Sequence, residues 1–297
     1  MLTPEDYIDA LDPDDNIFHA YQTPLYTIDE FRETNTNFSD ENTLKFMTYN
    51  VRSFNRNIDM LLSILESMEY KPDILVLTET WLHSDNVQNV HINGYQSTHC
   101  VRSERQSGGV SIFFSNSVEA KILDQVTVCN ACIETCSIKF QVRSYTYYVV
   151  AIYRPHSGTV QDFCNALRDV LVRLPNLSSS RVALIGDFNV NLLHQDLNVR
   201  TLCEFLRSYF FIPTVNNVTR HSRRENIESS LLDHIWINFI ESNIHTGVIS
   251  CDRTDHCPVF MGVPMRHGDL RSLTCIKIRD HSDSCLENFR NELGIMF

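Results

Sequence analysis

The sequence predicts an α/β domain built from two packed mixed sheets flanked by helices. Many apolar runs of strand length lie between residues 44 and 263. Only a few segments of helical period separate them, too few for a simple βαβ repeat. With 297 residues, 43% of them hydrophobic, the chain has material for a sizeable core. It holds no internal repeat and no low-complexity tract.

The elements follow in order. Residues 1–44 lack sustained periodicity and are rich in Asp, Glu, Asn and Thr, so they are expected to form an acidic, largely disordered leader. Leu44 to Val51 reads as a strand, and Ile58, Leu61, Leu62, Leu65 and Met68 recur at helical spacing. Pro72 ends that helix before the buried strand Asp73 to Glu79. An irregular stretch, His83 to Ser107, precedes a strand from Gly109 to Ser115. Strands near Cys132–Val142 and Tyr145–Tyr153 lead to a helix, Val160 to Leu174, and a strand, Arg181 to Asp187. A helix over about Val199 to Tyr209 is followed by strands near Leu232–Asn238, Thr246–Ile249 and Val259–Val263. Residues 45–265 are thus the working domain, and 266–297 form a polar tail with a short helical pattern around Leu286 to Leu293.

No apolar run reaches 18 residues, and the acidic start lacks the layout of a signal peptide, so a soluble, intracellular protein with no membrane contact is expected. Several of the ten cysteines sit within apolar runs, and they are expected to be reduced. Cys129, Cys132 and Cys136 are spaced like zinc ligands, but no well-spaced fourth ligand follows. The net charge of −12 argues against a DNA-binding protein until it is located. Residues 1–44 hold eleven acids against the single base Arg32; removing that −10 from −12 leaves −2 for residues 45–297.

Four segments end apolar runs on metal-competent side chains: Tyr49-Asn50, Thr78-Glu79-Thr80, Gly186-Asp187-Phe188-Asn189 and Thr254-Asp255-His256. An Asp after a strand usually caps a turn or a helix. Four such segments together suit hydrolysis of an anionic phosphodiester, for which Mg²⁺ takes oxygen ligands and phosphate. Glu79 and Asp255, with the carbonyl of Asn50, fit that cation, and Mn²⁺ is an alternative. Asp187 and Asn189, two apart, would share one face of an extended backbone, the carboxylate accepting a proton while the amide fixes nucleophile or phosphate. His256 would bind the phosphate as imidazolium if a carboxylate raised its pKa, and Asp233 is the candidate.

At these residues the chain resembles the endonuclease/exonuclease/phosphatase superfamily, whose fold is like that of deoxyribonuclease I. The resemblance rests on YNVRS (49–53), LTETWL (77–82), AIYRP (151–155), IGDFNVN (185–191), LDHIWIN (232–238) and TDHCPV (254–259), in the family's order. It implies a four-layer α/β/β/α sandwich. It also implies a metal site at Asn50, Glu79 and Asp255, with phosphate binding and catalysis by Tyr153, Asp187, Asn189, Asp233 and His256. Thr254 replaces the usual serine. Arg52 stands where abasic-site enzymes often carry an acid, which argues against apurinic repair. The NVRS start, the Ser107-Gly108-Gly109-Val110 run, Tyr153-Arg154-Pro155 and the tail around Arg279-Asp280-His281-Ser282 are similar to LINE-type retrotransposon endonucleases. In such polyproteins a reverse transcriptase domain follows, and the resemblance leaves a fragment, a truncated copy and a derived host gene as alternatives for this chain.

The polar loop Asn216 to Ser230 carries Thr219, Arg220, Arg223 and Arg224, suited to phosphates and a narrow minor groove. Arg102 and Arg105 would extend that surface. His19, His91 and His99 are expected on the surface, and Trp81 and Trp236 in the core or a wall. The expected activity is DNA nicking that leaves a 3′-hydroxyl, with DNA as partner and the nucleus inferred from that substrate. A phosphatase on phosphoinositides or other small phosphoesters, and a silent relic or binding module, are the alternatives. Oligomeric state is not set by the sequence.

Overall fold

The structure is a computed structural model and describes residues 21–35, 42–102, 107–221, 229–241, 243–251 and 254–265. Along the chain run β1 (Leu25–Tyr26), α1 (Ile28–Asn35), β2 (Thr43–Asn50), α2 (Phe54–Ser67), β3 (Ile74–Thr78), β4 (Tyr95–Cys100), β5 (Val110–Ser115), β6 (Ala120–Ile122) and β7 (Val128–Cys129). Then come β8 (Glu134–Val142), β9 (Tyr145–Tyr153), α3 (Val160–Leu171), β10 (Arg181–Asp187), α4 (Leu197–Ser208), β11 (Ile212–Pro213), β12 (Asp233–Ile237), β13 (His245–Ile249) and β14 (Val259–Pro264). One sheet has the order β1-β13-β14-β2-β3-β5-β4, the other β11-β12-β10-β9-β8-β6, with β7 beside β8. Both are mixed: β2–β3 and β9–β10 are parallel, their other neighbours mostly antiparallel. The expected four-layer α/β/β/α sandwich is what forms.

Alternation of side chains explains the layers. On β2, Leu44 and Phe46 enter the core that also holds β9 and β10, whereas Met47 and Tyr49 join Leu61, Ile64 and Leu65 of α2. A strand apolar on both faces must be covered on both, which is why β3 (Ile74–Thr78) reads as a continuous hydrophobic run. α3 and α4 cover the outer face of the second sheet through Phe163, Leu167, Leu171, Leu202 and Leu206. Thr159 and Asp162 form a capping box that starts α3, and the Asp196 side chain accepts the Val199 N–H to start α4.

The leader boundary needs correction. Residues 21–35 belong to the folded unit: β1 adds to β13 in parallel, and Phe31 is fully buried against Tyr26, Tyr70 and Phe260. Their aromatics are spaced too irregularly for a period, so composition alone misplaced them. The stretch His83–Ser107, expected to be irregular, contains β4, an edge strand whose polar residues hide it. His99 is correspondingly half-buried, its ring nitrogens meeting the Ser111 and Ser97 hydroxyls at 2.8 and 2.9 Å. The tail 266–297, including its helical pattern, lies outside the described residues, as does His19. Among the described residues no helix is long and apolar enough to cross a membrane. The eight cysteines there are free thiols.

Candidate active site

Strand register assembles one end of the second sheet. Glu134 pairs with Tyr153, Tyr153 with Asp187, and Asp187 with Asp233. Directly paired residues share a face, so these four side chains form one row across β8, β9, β10 and β12. Gly186 makes the approach to Asp187 feasible: at φ +145 a Cβ there would lie 1.9 Å from the Ile152 carbonyl oxygen.

The first sheet meets that row at the ends of β2 and β3. Asn50 Nδ2 donates to Asp187 Oδ2 at 2.9 Å and to Glu79 Oε1 at 3.3 Å, bridging the sheets. Glu79, at φ +50 just past β3, also accepts the Tyr153 hydroxyl at 3.4 Å and the Trp81 indole N–H at 3.3 Å. Ahead of β14, His256 donates from Nδ1 to Asp233 Oδ2 at 2.8 Å, both residues buried. The Thr254 hydroxyl braces that turn, donating to the His256 carbonyl at 2.8 Å and meeting the Tyr49 hydroxyl at 2.9 Å.

Burial pushes the Asp187 carboxyl up to about 7, reinforced by the Asp233 charge and opposed by His256, Asn50 and the Asn189 N–H. Burial alone would lower His256, but the Asp233 carboxylate outweighs it and pushes the imidazole up to about 9. His256 is therefore an imidazolium at neutral pH. Burial, then the charges of Glu79 and Asp187, raise Tyr153, whose hydroxyl stays a donor. Among the described residues, Asp187, Asp233 and His256 are the group of acids, histidines or cysteines whose ligand atoms lie close enough to share an ion, within 4.8 Å. A charged imidazole that donates to Asp233 offers no lone pair, so this trio is better suited to moving a proton and presenting charge than to caging a metal. Cys129, Cys132 and Cys136 form no such group.

Oxygen donors for a hard cation lie beside it. Glu79 and Asn50 touch, and Asp255 Oδ1 is buried without a hydrogen-bond donor. Asn50 turns its NH₂ to the carboxylates while its Oδ1 accepts the Arg52 N–H at 3.2 Å. Rotating the amide would aim its carbonyl at Glu79 and Asp187, an arrangement that a cation between them would favour. These residues fit a divalent cation.

Other sequence expectations land elsewhere. The Asn189 side chain donates to the Arg154 carbonyl at 2.7 Å and pins its own loop, at φ +48, while its N–H donates to Asp187. Thr219 is fully buried, and its hydroxyl accepts the Leu232 and Asp233 N–H groups at 3.0 Å, so it braces β12 and cannot meet a substrate phosphate. Arg220 is half-exposed and binds Asp255 Oδ2 through Nε at 2.9 Å. Arg102 turns inward to pair with the buried Glu134, which also accepts the Gly109 N–H at 2.5 Å, so Arg102 does not extend an outer basic surface. Arg105, Arg223 and Arg224 lie outside the described residues. Trp236 is buried and Trp81 walls Glu79. Sequence reasoning missed Glu134; its only signal is a lone acid at the head of a strand that holds no other acid. It gave Arg52 no role at the site, although Arg52 Nη1 lies 3.0 Å from Asp255 Oδ1.

Comparison with known proteins matches residues 47–256 to the endonuclease/exonuclease/phosphatase family. No curated protein sequence matched. Among solved structures, the AP endonuclease LMAP from Leishmania major has a TM-score of 0.63 at 19% identity, covering 89% of this chain and 99% of its own. The endonuclease domain of TRAS1, a telomere-specific non-LTR retrotransposon, has a TM-score of 0.58 at 11% identity, covering 74% and 97%. A mannosyl-6-phosphatase from Bacteroides thetaiotaomicron has a TM-score of 0.53 at 15% identity, covering 74% and 99%. At such identities the likeness is one of fold.

Proposed function

The chain belongs to the endonuclease/exonuclease/phosphatase family, whose members hydrolyse phosphodiesters or phosphate monoesters, and from that premise we propose that it is a divalent-cation-dependent endonuclease that nicks DNA and leaves a 3′-hydroxyl. The observation that carries this reading is the buried Asp187–Asp233–His256 group, joined through Asn50 to Glu79.

Asp187 is a stronger base than an ordinary carboxylate and takes the proton of the attacking water. Its oxygens are aimed by the Asn50 amide and the Asn189 N–H, leaving little rotational freedom to lose. His256, held by Asp233, presents positive charge to a non-bridging phosphate oxygen. Tyr153 donates its hydroxyl into the same space. Held by Glu79, Asp255 and the rotated Asn50 carbonyl, Mg²⁺ or Mn²⁺ would neutralise charge building on the phosphate and the leaving oxygen.

DNA as the substrate is supported by the LINE-like motifs, by the DNA-directed names of two fold relatives, and by Arg52 and Arg220 at the rim. Action within a retroelement polyprotein, beside a reverse transcriptase and on nuclear DNA, follows from the same motifs. The test is nicking of supercoiled plasmid with Mg²⁺ against EDTA, comparing Asp187→Asn and His256→Ala. Open circles that form only with the cation, and at least ~10²-fold more slowly in each folded variant, are expected. A polymerase should extend the nicks if they end in a 3′-hydroxyl. Folded protein that leaves plasmid intact but releases phosphate from a small phosphoester would replace this reading with a phosphatase.

A further inference from the structure

Two arginines converge on Asp255, one of the proposed cation ligands. Arg52 Nη1 lies 3.0 Å from Oδ1 and Arg220 Nε 2.9 Å from Oδ2, so each carboxylate oxygen faces a different guanidinium. They arrive from separate parts of the chain, and both backbones are fixed. Arg52, at φ +43, donates its N–H to Asn50 Oδ1, and its carbonyl accepts the Asn57 amide at 3.0 Å. Its neighbours Val51 and Ser53 donate to the carbonyls of Thr78 and Glu79. Arg220 exchanges two backbone hydrogen bonds of 2.9 Å with Ser230.

We propose that Arg52 and Arg220 form a guanidinium clamp on Asp255 that competes with the divalent cation for this carboxylate and so sets the cation affinity of the site. The proposal rests on the reading of Asp255 as a cation ligand. The two arms differ in strength. Arg220 makes an aligned hydrogen bond, whereas Oδ1 facing Arg52 receives none despite its burial. A charge contact without a hydrogen bond is the cheaper one to break. Oδ1 is thus the oxygen a cation takes, and Arg52 is the arm that yields. Until then the clamp keeps Asp255 neutralised, and its positive charge opposes any cation approaching Glu79 and Asn50.

Removing the Arg52 charge should therefore tighten cation binding, where loss of a merely structural contact would loosen it. Calorimetric titration of Mn²⁺ into the full chain, without DNA, compares wild type with Arg52→Gln, Arg52→Lys and Arg220→Gln, each checked by thermal melting. Arg52→Gln should bind Mn²⁺ roughly tenfold more tightly, on the order expected for removing a partly screened unit charge a few ångströms away. Arg52→Lys should stay near wild type, and Arg220→Gln should also tighten binding. Unchanged or weaker binding in folded Arg52→Gln and Arg220→Gln would overturn the clamp while leaving the cation site intact. A wild type that binds no Mn²⁺ at millimolar concentration would overturn the cation reading and the clamp with it.

Discussion

The Nδ1 atoms of His256 and His234 meet opposite partners, and that difference decides their charge. His256 Nδ1 donates to a carboxylate, whereas His234 Nδ1 accepts the Trp236 indole N–H at 3.3 Å while its Nε2 donates to the Val190 and Leu231 carbonyls. Burial pushes the His234 imidazole down to about 4, so it is neutral in the fold. The unfolded chain would bind this proton near pH 6.5, the folded one only near 4, so stability is flat above that window and falls as pH drops through it. Its full share is about 3 kcal/mol at one kcal-scale step per pH unit. Urea titrations between pH 7.5 and 4.5 should show His234→Gln losing less stability on acidification than wild type; equal losses would sink the idea. At this scale the sequence was informative where side chains close a strand. Asn50, Glu79, Asp187 and His256 were found from their place beside apolar runs and Asp233 as the carboxylate His256 needs, and the structure brings them together. It was uninformative where function depends on a partner distant in sequence: nothing near Thr219 announces that its hydroxyl is spent on Asp233, nor near Arg102 that Glu134 claims it.

Element boundaries followed the strength of the periodic signal. Tyr145–Tyr153 and Arg181–Asp187 match in their bounds because each is built on a long apolar run, Tyr147–Tyr153 and Val182–Ile185. The two-residue strands β1, β7 and β11 carry no period at all, and polar β4 resembles a loop because only one of its faces meets the core. The pair β1–α1 is the most consequential of these omissions. Phe31 sits in an aromatic group with Tyr26, Tyr70 and Phe260 at centroid distances of 4.7 to 6.1 Å. Phe31→Ala should cost about 3–5 kcal/mol of stability, read as a lower denaturant midpoint with nicking preserved at permissive temperature. A chain starting at residue 45 should be similarly weakened, since it also lacks the strand paired with β13. A midpoint unchanged by either alteration would mean the segment is only loosely attached.

Across the whole molecule, the site draws on both sheets and on chain segments from residue 50 to residue 256, so no fragment carries it. The strand that completes it, β14, lies between β13 and β2, inside its sheet although it comes last among the described strands. On a ribosome, β2 would therefore emerge with one edge unpaired and stay so until residue 264 had cleared the exit tunnel. A message broken or stopped before that point would yield a polypeptide that lacks the completed site yet is adhesive along that edge. Such a product, ending at residue 253, should be recovered in the insoluble fraction when the full chain is soluble. Quality control of this chain is thus written into its strand order: the cell would meet either a finished fold or an aggregate to clear.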